Sequence, residues 1–240
     1  FNKIKKMKIA LLGYGKMGKA IEKIALKRNH EIIFLSDKNM KKGKLSDADV
    51  AINFSIPDSA YDNIMMALEL NIPVVSGTTG WLKSYDKVKK YCLENNLSFL
   101  YSSNFSIGVN LFFKINQNLA KLMNNYKEYI VEIEETHHIK KLDKPSGTAI
   151  SIAEDIISNS DYNNWKLNEV NNSHSNILIN SIRKDDIPGT HNITYSSKID
   201  EIKISHIANS REGFAFGAVI ASEWLKNKKG VFSMKDVLNI

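Results

Sequence analysis

Met7-Lys8-Ile9-Ala10-Leu11-Leu12-Gly13-Tyr14-Gly15-Lys16-Met17-Gly18 carries the chain from a short apolar run into a glycine-rich turn. A helical pattern through Ile21, Ile24, Ala25 and Leu26 follows. Strand, glycine turn and helix in that order open a βαβ unit, and the residues up to Asn104 repeat the alternation. Apolar runs recur at Ile32-Ile33-Phe34-Leu35, Val50-Ala51-Ile52-Asn53-Phe54, Val74-Val75-Ser76 and Leu97-Ser98-Phe99-Leu100-Tyr101, with helical stretches near 58–70 and 80–95 between them. Strands alternating with helices favour a sheet covered on both faces, so the expected class is α/β, with a Rossmann-type doubly wound parallel sheet.

After Asn104 the rhythm changes. A helix at about 108–124 precedes a strand built on Ile130-Val131-Glu132-Ile133-Glu134. A helix from about 147 and strand candidates near 177–183, 191–197 and 200–207 complete a second domain, of α+β type. Asn159 to Ser175 is polar and Asn-rich and is expected to contain a surface loop. A last helix, about 212–227, is expected to return to the first sheet, which divides the chain into 1–105 plus 212–240 and 106–211.

With 240 residues, 43% of them apolar, the chain can bury roughly 70% of its extended surface without staples. Its single cysteine, Cys92, excludes an intramolecular disulfide, fits a reducing compartment and reads as a buried helix position. The net charge of +7 is scattered; Lys3-Ile4-Lys5-Lys6 and the run from Lys38 to Lys44, which is expected between elements, are its densest clusters. No basic element carries interleaved aromatics, so no nucleic-acid partner is expected. The Lys-rich start followed by Ile9–Leu12 imitates a secretory signal, but the run stops at Gly13 without a small-residue cleavage site. No run is long enough to span a bilayer, and the expectation is a cytoplasmic protein with no membrane partner.

Gly13, Gly15 and Gly18 have the spacing at which one glycine turns the chain, one admits a pyrophosphate to the backbone and one packs helix on strand. Lys16 and Met17 begin the helix whose amides would meet that anion. Asp37 ends the second strand nineteen positions after Gly18, where a carboxylate accepts ribose hydroxyls. Lys38 beside it suits a 2′-phosphate, so NADH and NADPH are both expected cofactors. Gly77-Thr78-Thr79-Gly80 and Ser102-Ser103-Asn104-Phe105 follow later strands and would lie at the same carboxyl edge, where Gly77, Thr78, Thr79 and Ser102 to Phe105 could hold the nicotinamide end. As plain turns with helix caps they would need no ligand.

Glu134-Glu135-Thr136-His137-His138-Ile139-Lys140-Lys141-Leu142-Asp143-Lys144-Pro145-Ser146-Gly147-Thr148 concentrates proton donors, cations and a helix start. It reads as a site for a small anion that also receives a proton. Adjacent histidines on a strand face opposite ways, so one of them meets a given pocket unless the strand ends there. His137 and His138 also lack the spacing for joint metal ligation, and no metal is expected. Lys140 and Lys144 read as solvated or as steering an anion.

The motifs together resemble the 4-hydroxy-tetrahydrodipicolinate reductase (dihydrodipicolinate reductase) family. The resemblance rests on the Gly13–Gly18 loop with Met17, Phe54-Ser55-Ile56-Pro57, Gly77-Thr78-Thr79-Gly80, Asn104 to Asn110, Glu135 to Lys141, Asp143 to Ala149, and Ser210-Arg211 with Phe214-Ala215-Phe216-Gly217-Ala218. It implies a two-domain subunit in a homotetramer, the second domain binding substrate and mediating assembly. The implied reaction reduces a small cyclic imine dicarboxylate with NADH or NADPH. The resemblance also implies His137 as proton donor, Lys141 as second donor and cation, His138 as substrate contact, and the Gly147 and Thr148 amides as a carboxylate cradle. Another dehydrogenase on the same nucleotide domain, or a nucleotide sensor without chemistry, are the competing readings; a sensor has no use for His137 and Lys141 together.

Overall fold

The computed structural model describes residues 5–169, 175–210 and 212–240. Its elements run β1 Lys8–Leu12, α1 Lys16–Lys27, β2 Glu31–Asp37, β3 Met40–Gly43, β4 Val50–Asn53, α2 Pro57–Leu68, β5 Val74–Ser76, α3 Tyr85–Glu94, β6 Ser98–Tyr101 and α4 Ile107–Met123. They continue as β7 Ile130–His137, α5 Gly147–Ile157, β8 Asn164–Leu167, β9 Asn176–Arg183, β10 Thr190–Ser196, β11 Glu201–Ile207, α6 Glu212–Leu225, β12 Gly230–Phe232 and α7 Met234–Leu238. Two units result, 1–107 with 212–240, and 108–211.

The first unit is a seven-stranded sheet in the order β12-β6-β5-β4-β1-β2-β3, parallel except where β3 turns back on β2. Ile9 to Leu12 is apolar at every position because helices cover both faces. One core layer joins Ile21, Ile24 and Ala25 of α1 to Ala218, Val219 and Leu225 of α6; the other joins Ala60, Ile64 and Leu68 of α2 to Val88 and Cys92 of α3. Helix α6, expected as the last, thus returns to the first sheet. Cys92 is buried, and burial pushes its thiol up to about 11, a state unsuited to a nucleophile.

The abundant asparagines have a structural use here. Asn29, Asn71 and Asn96 follow α1, α2 and α3 with φ of 64°, 59° and 50°. At each, the next residue donates its amide five residues back, His30 to Ala25, Ile72 to Ala67 and Leu97 to Cys92. This is the Schellman ending, with Asn in the left-handed position usually given to Gly. Three helices are stopped by the same device.

Four short elements escape the sequence reading. Met40–Gly43, expected between elements, is an exposed edge strand; Asn164–Leu167 lies within the segment expected as a loop, and β12 and α7 follow the last expected helix. The helix expected near 80–95 starts at Tyr85, after a short turn at Leu82–Ser84. Residues 170–174 of the expected loop, Lys3-Ile4 of the basic start and Arg211 of the Ser210-Arg211 motif lie outside the described residues.

The second unit is a five-stranded mixed sheet, β11-β10-β7-β9-β8. Its core joins Val131, Ile133, Ile179, Ile193 and Tyr195 of the sheet to Phe112 and Ala120 of α4 and Ile152 and Ile156 of α5. Among the described residues, no helix is long and apolar enough to cross a membrane.

Candidate active site

At the end of β1, Gly13 closes the turn with φ +101° and donates its amide to Ser36 O at 2.8 Å. A Cβ there would fall 2.2 Å from Phe54 O, and one on Gly18 would fall 2.3 Å from Gly13 O. Both glycines are required by the fold. Gly15 differs, because a Cβ on it would meet nothing within 4 Å. It is the N-cap of α1 and offers no side-chain cap to the helix amides. Lys16 is exposed and Met17 half-buried in the first turn. β2 and β4 flank β1 on opposite sides, which puts this turn at the switch point of a doubly wound sheet.

Asp37 is exposed at the end of β2, its carboxylate accepting the amide of Lys38 at 2.9 Å, and Lys38 opens the turn to β3. The loops after β4 and β5 are tied together: Thr78 Oγ1 accepts from Ser55 N at 2.9 Å and from the buried Asn53 side chain at 3.3 Å. A Cβ on Gly77 would enter the Phe54 ring. Thr79 and Ser103 are exposed. Ser102 Oγ donates to Asn104 O at 2.7 Å, and Asn104 Oδ1 accepts from Ser106 N at 2.9 Å. Phe105 is buried, its ring 5.6 Å from that of Phe54. The fit to a dinucleotide thus rests on an uncapped helix start with open space at Gly15, an acid at the end of β2 and hydroxyl-bearing loops on one edge.

In the second unit, β7 alternates strictly, sending Val131, Ile133, Glu135 and His137 to the buried face. Register fixes what flanks them. Ile133 sits between Ile179 and Ile193, but the next row is Ser181, Glu135 and His191, and His137 pairs with Arg183. The apolar layer gives way to a polar one where the strands end.

Glu135, fully buried, meets His137 Nδ1 with one oxygen. The other accepts from Ser181 Oγ at 2.6 Å, Arg183 Nη1 at 2.9 Å and Ser146 N at 3.4 Å. Burial alone would raise its pKa, but hydrogen bonds from His137, Ser181 and Arg183 outweigh it and hold the carboxyl down to about 2. His191, its ring 5.1 Å from His137, is driven down to about 3, first by burial and then by its histidine neighbour. Arg183 also donates to the carbonyls of Lys141 at 3.3 Å and Asp143 at 2.6 Å, which ties the loop to the strand. Lys141 pairs with Asp143 at 2.8 Å, and that lysine lowers the carboxyl of Asp143.

Ser146 caps α5, accepting from Ala149 N at 3.2 Å, so Gly147 and Thr148 supply the remaining amides of the helix start. Nothing would lie within 4 Å of a Cβ on Gly147. His138 stands beyond the strand and, with Lys140, Asp186 and Pro188, lines a small pocket of about 290 Å³.

Donor atoms of Glu135, His137 and His191 lie within 4.8 Å of one another, a grouping the sequence did not suggest. Arg183 already supplies the cation beside Glu135, and both carboxylate oxygens are taken, which disfavours a second cation there. Ser181, Arg183, Gly189 and His191 were also missed by the sequence reading, since only strand register brings them to His137. Glu135 did have a signal: two residues before His137 on an alternating strand, it must share its face.

The sequence matches the family described as dihydrodipicolinate reductase, N-terminus, over residues 7–105, and its C-terminus counterpart over 108–238. It is 50% identical over 236 residues to a 4-hydroxy-tetrahydrodipicolinate reductase of Christiangramia forsetii, covering 97% of this chain and 98% of that one. With the enzyme of the same name from Buchnera aphidicola subsp. Schizaphis graminum it shares 35% identity over 230 residues, 90% of this chain and 80% of the relative. Its fold is similar to that of a dipicolinate-bound dihydrodipicolinate reductase from Paenisporosarcina sp. TG-14, with TM-score 0.77, 22% identity, and 97% and 99% of the two chains covered.

Proposed function

This chain belongs to the dihydrodipicolinate reductase family, and on that premise we propose how its residues divide the work. It is an NAD(P)H-dependent oxidoreductase that reduces 4-hydroxy-tetrahydrodipicolinate to tetrahydrodipicolinate, the 4-hydroxyl leaving as water, in diaminopimelate and lysine biosynthesis. Residues 1–105 with 212–240 hold the dinucleotide, and 106–211 hold a small cyclic dicarboxylate substrate and carry the assembly contacts of a cytoplasmic homotetramer. The nicotinamide, when bound, supplies the hydride.

Gly13 makes the turn, its own amide engaged by Ser36 O, and Gly15, Lys16, Met17 and Gly18 meet the pyrophosphate by backbone amides; Asp37 and Lys38 take the adenosine ribose. Gly77, Thr78, Thr79 and Ser102 to Phe105 receive the nicotinamide end. The Gly147 and Thr148 amides bind a substrate carboxylate, and His138 is a further substrate contact. Lys141 pairs with that anionic substrate and stabilises charge developing on its ring. His137 delivers the proton. The observation carrying this reading is an imidazole held by an ionised carboxylate in the same fifteen-residue segment as an open helix start.

Purified protein is expected to oxidise NADH or NADPH only when the cyclic condensation product of aspartate semialdehyde and pyruvate is present. Tight nucleotide binding without turnover on that substrate would favour a sensor instead. Sedimentation of the same preparation tests the tetramer.

A further inference from the structure

Glu135 is fully buried and ionised near the end of β7, where its charge must be matched by neighbouring groups. Its matching groups come from three places: Ser181 and Arg183 on β9, the Ser146 amide at the start of α5, and His137 two residues along β7. An ionised carboxylate only accepts, so the hydrogen between it and His137 belongs to Nδ1. The opposite nitrogen, Nε2, faces Gly189, where a Cβ would come within 2.9 Å of it. Thr190 pairs with Thr136, so the bare glycine lies beside His137 by register.

We infer that Glu135 is a positioning residue, fixing the His137 ring with Nδ1 protonated so that Nε2 alone delivers the catalytic proton, and that Gly189 keeps Nε2 uncovered. This rests on His137 being the proton donor. In the step, the Nε2–H bond breaks and its electron pair stays on the ring. The proton bonds to the substrate atom made electron-rich by the hydride. His137 is left neutral, with Nδ1–H still on Glu135, and takes its next proton from solvent. Among the described residues, Arg183 from β9 and His191 from β10 flank the pair, with Lys141 and His206 also acting on His191; Arg183 is engaged by Glu135, and neutral His191 adds no charge to oppose the imidazolium. Fixing one tautomer in this way is how an outer carboxylate tunes a working histidine.

The test is a double-mutant cycle on E135Q and H137Q, measuring kcat and NADH affinity, with ¹⁵N shifts of the His137 ring. E135Q is expected to lower kcat about 10-fold or more in the native background and by less than about twofold on H137Q, NADH affinity being unchanged throughout. The native ring should show the Nδ1–H tautomer at alkaline pH and E135Q a mixture. Equal losses in both backgrounds, or a native Nε2–H tautomer, would overturn the inference. Native kcat in H137Q would instead remove the donor assignment on which it stands. Should E135Q not fold, G189A reads the other half: kcat is expected to fall about 10-fold with the tautomer retained, and an unchanged kcat contradicts an uncovered Nε2.

Discussion

The glycine turn after β1 and the polar end of the β7 face are built by opposite means. In the first, the proposed recognising surface is backbone: Gly13 and Gly18 have no room for a Cβ, while a Cβ on Gly15 would meet none of the described residues within 4 Å. In the second, side chains from two strands and a backbone amide at a helix start converge on one carboxylate. Backbone recognition is local in sequence and tolerates chemistry but not volume. A side-chain network is the reverse, tolerating modest changes of volume but not loss of a donor.

The contrast breaks most visibly at Gly13. Gly13→Ala adds a Cβ against Phe54 O at a φ of +101°, and a loss of about 2–4 kcal/mol in urea denaturation, with NADH binding lost, is expected. Native-like stability would show that the turn yields. Next comes Lys141→Met, for which kcat/KM should fall about 10- to 100-fold while NADH affinity holds. A fall in NADH affinity of the same size would assign the lysine to the wrong ligand.

Gly15 and Gly147 sharpen the comparison, because both open a helix and neither added Cβ would meet protein. Stability of G15A and G147A should stay within about 0.5 kcal/mol of native. About 10-fold weaker binding is expected for NADH alone in G15A and for substrate alone in G147A. If either variant weakened both ligands equally, the division of labour would be wrong.

A pH effect concerns His191. Its pKa is 6.5 unfolded and about 3 folded, so below 6.5 the unfolded chain binds a proton the native one refuses. Its contribution is therefore intact above pH 6.5 and lost as pH falls toward 3. Between pH 6.5 and 4.5, above the range in which Glu135 titrates, native stability should slope by up to about 1.4 kcal/mol per pH unit more than that of His191→Gln. Parallel slopes would mean that His191 is already charged or already wet.

The same contrast explains what the sequence disclosed. Gly13, Gly15, Gly18 and Asp37 were legible because a glycine turn between strand and helix depends on neighbours in the chain. The long apolar strands and amphipathic helices were legible for that reason too. Met40-Lys41-Lys42-Gly43 carries no apolar pattern, since an exposed edge strand needs none, and so it read as a connection. Asn164–Leu167 and Gly230–Phe232 are too short for a period to register. His137 and Lys141 could be named from their segment, and Glu135 follows from period-two alternation. Ser181, Arg183 and His191 could not, because strand pairing alone decides which residues of β9 and β10 stand beside them.

On the proposed division, the dinucleotide is held by backbone and the proton is delivered by a side chain elsewhere in the chain. Measuring kcat and NADH affinity together on His137→Gln tests it most directly. A fall in kcat of about 10²-fold or more with NADH affinity within about twofold of native is expected. A native kcat, or a loss lying wholly in NADH affinity, would contradict it.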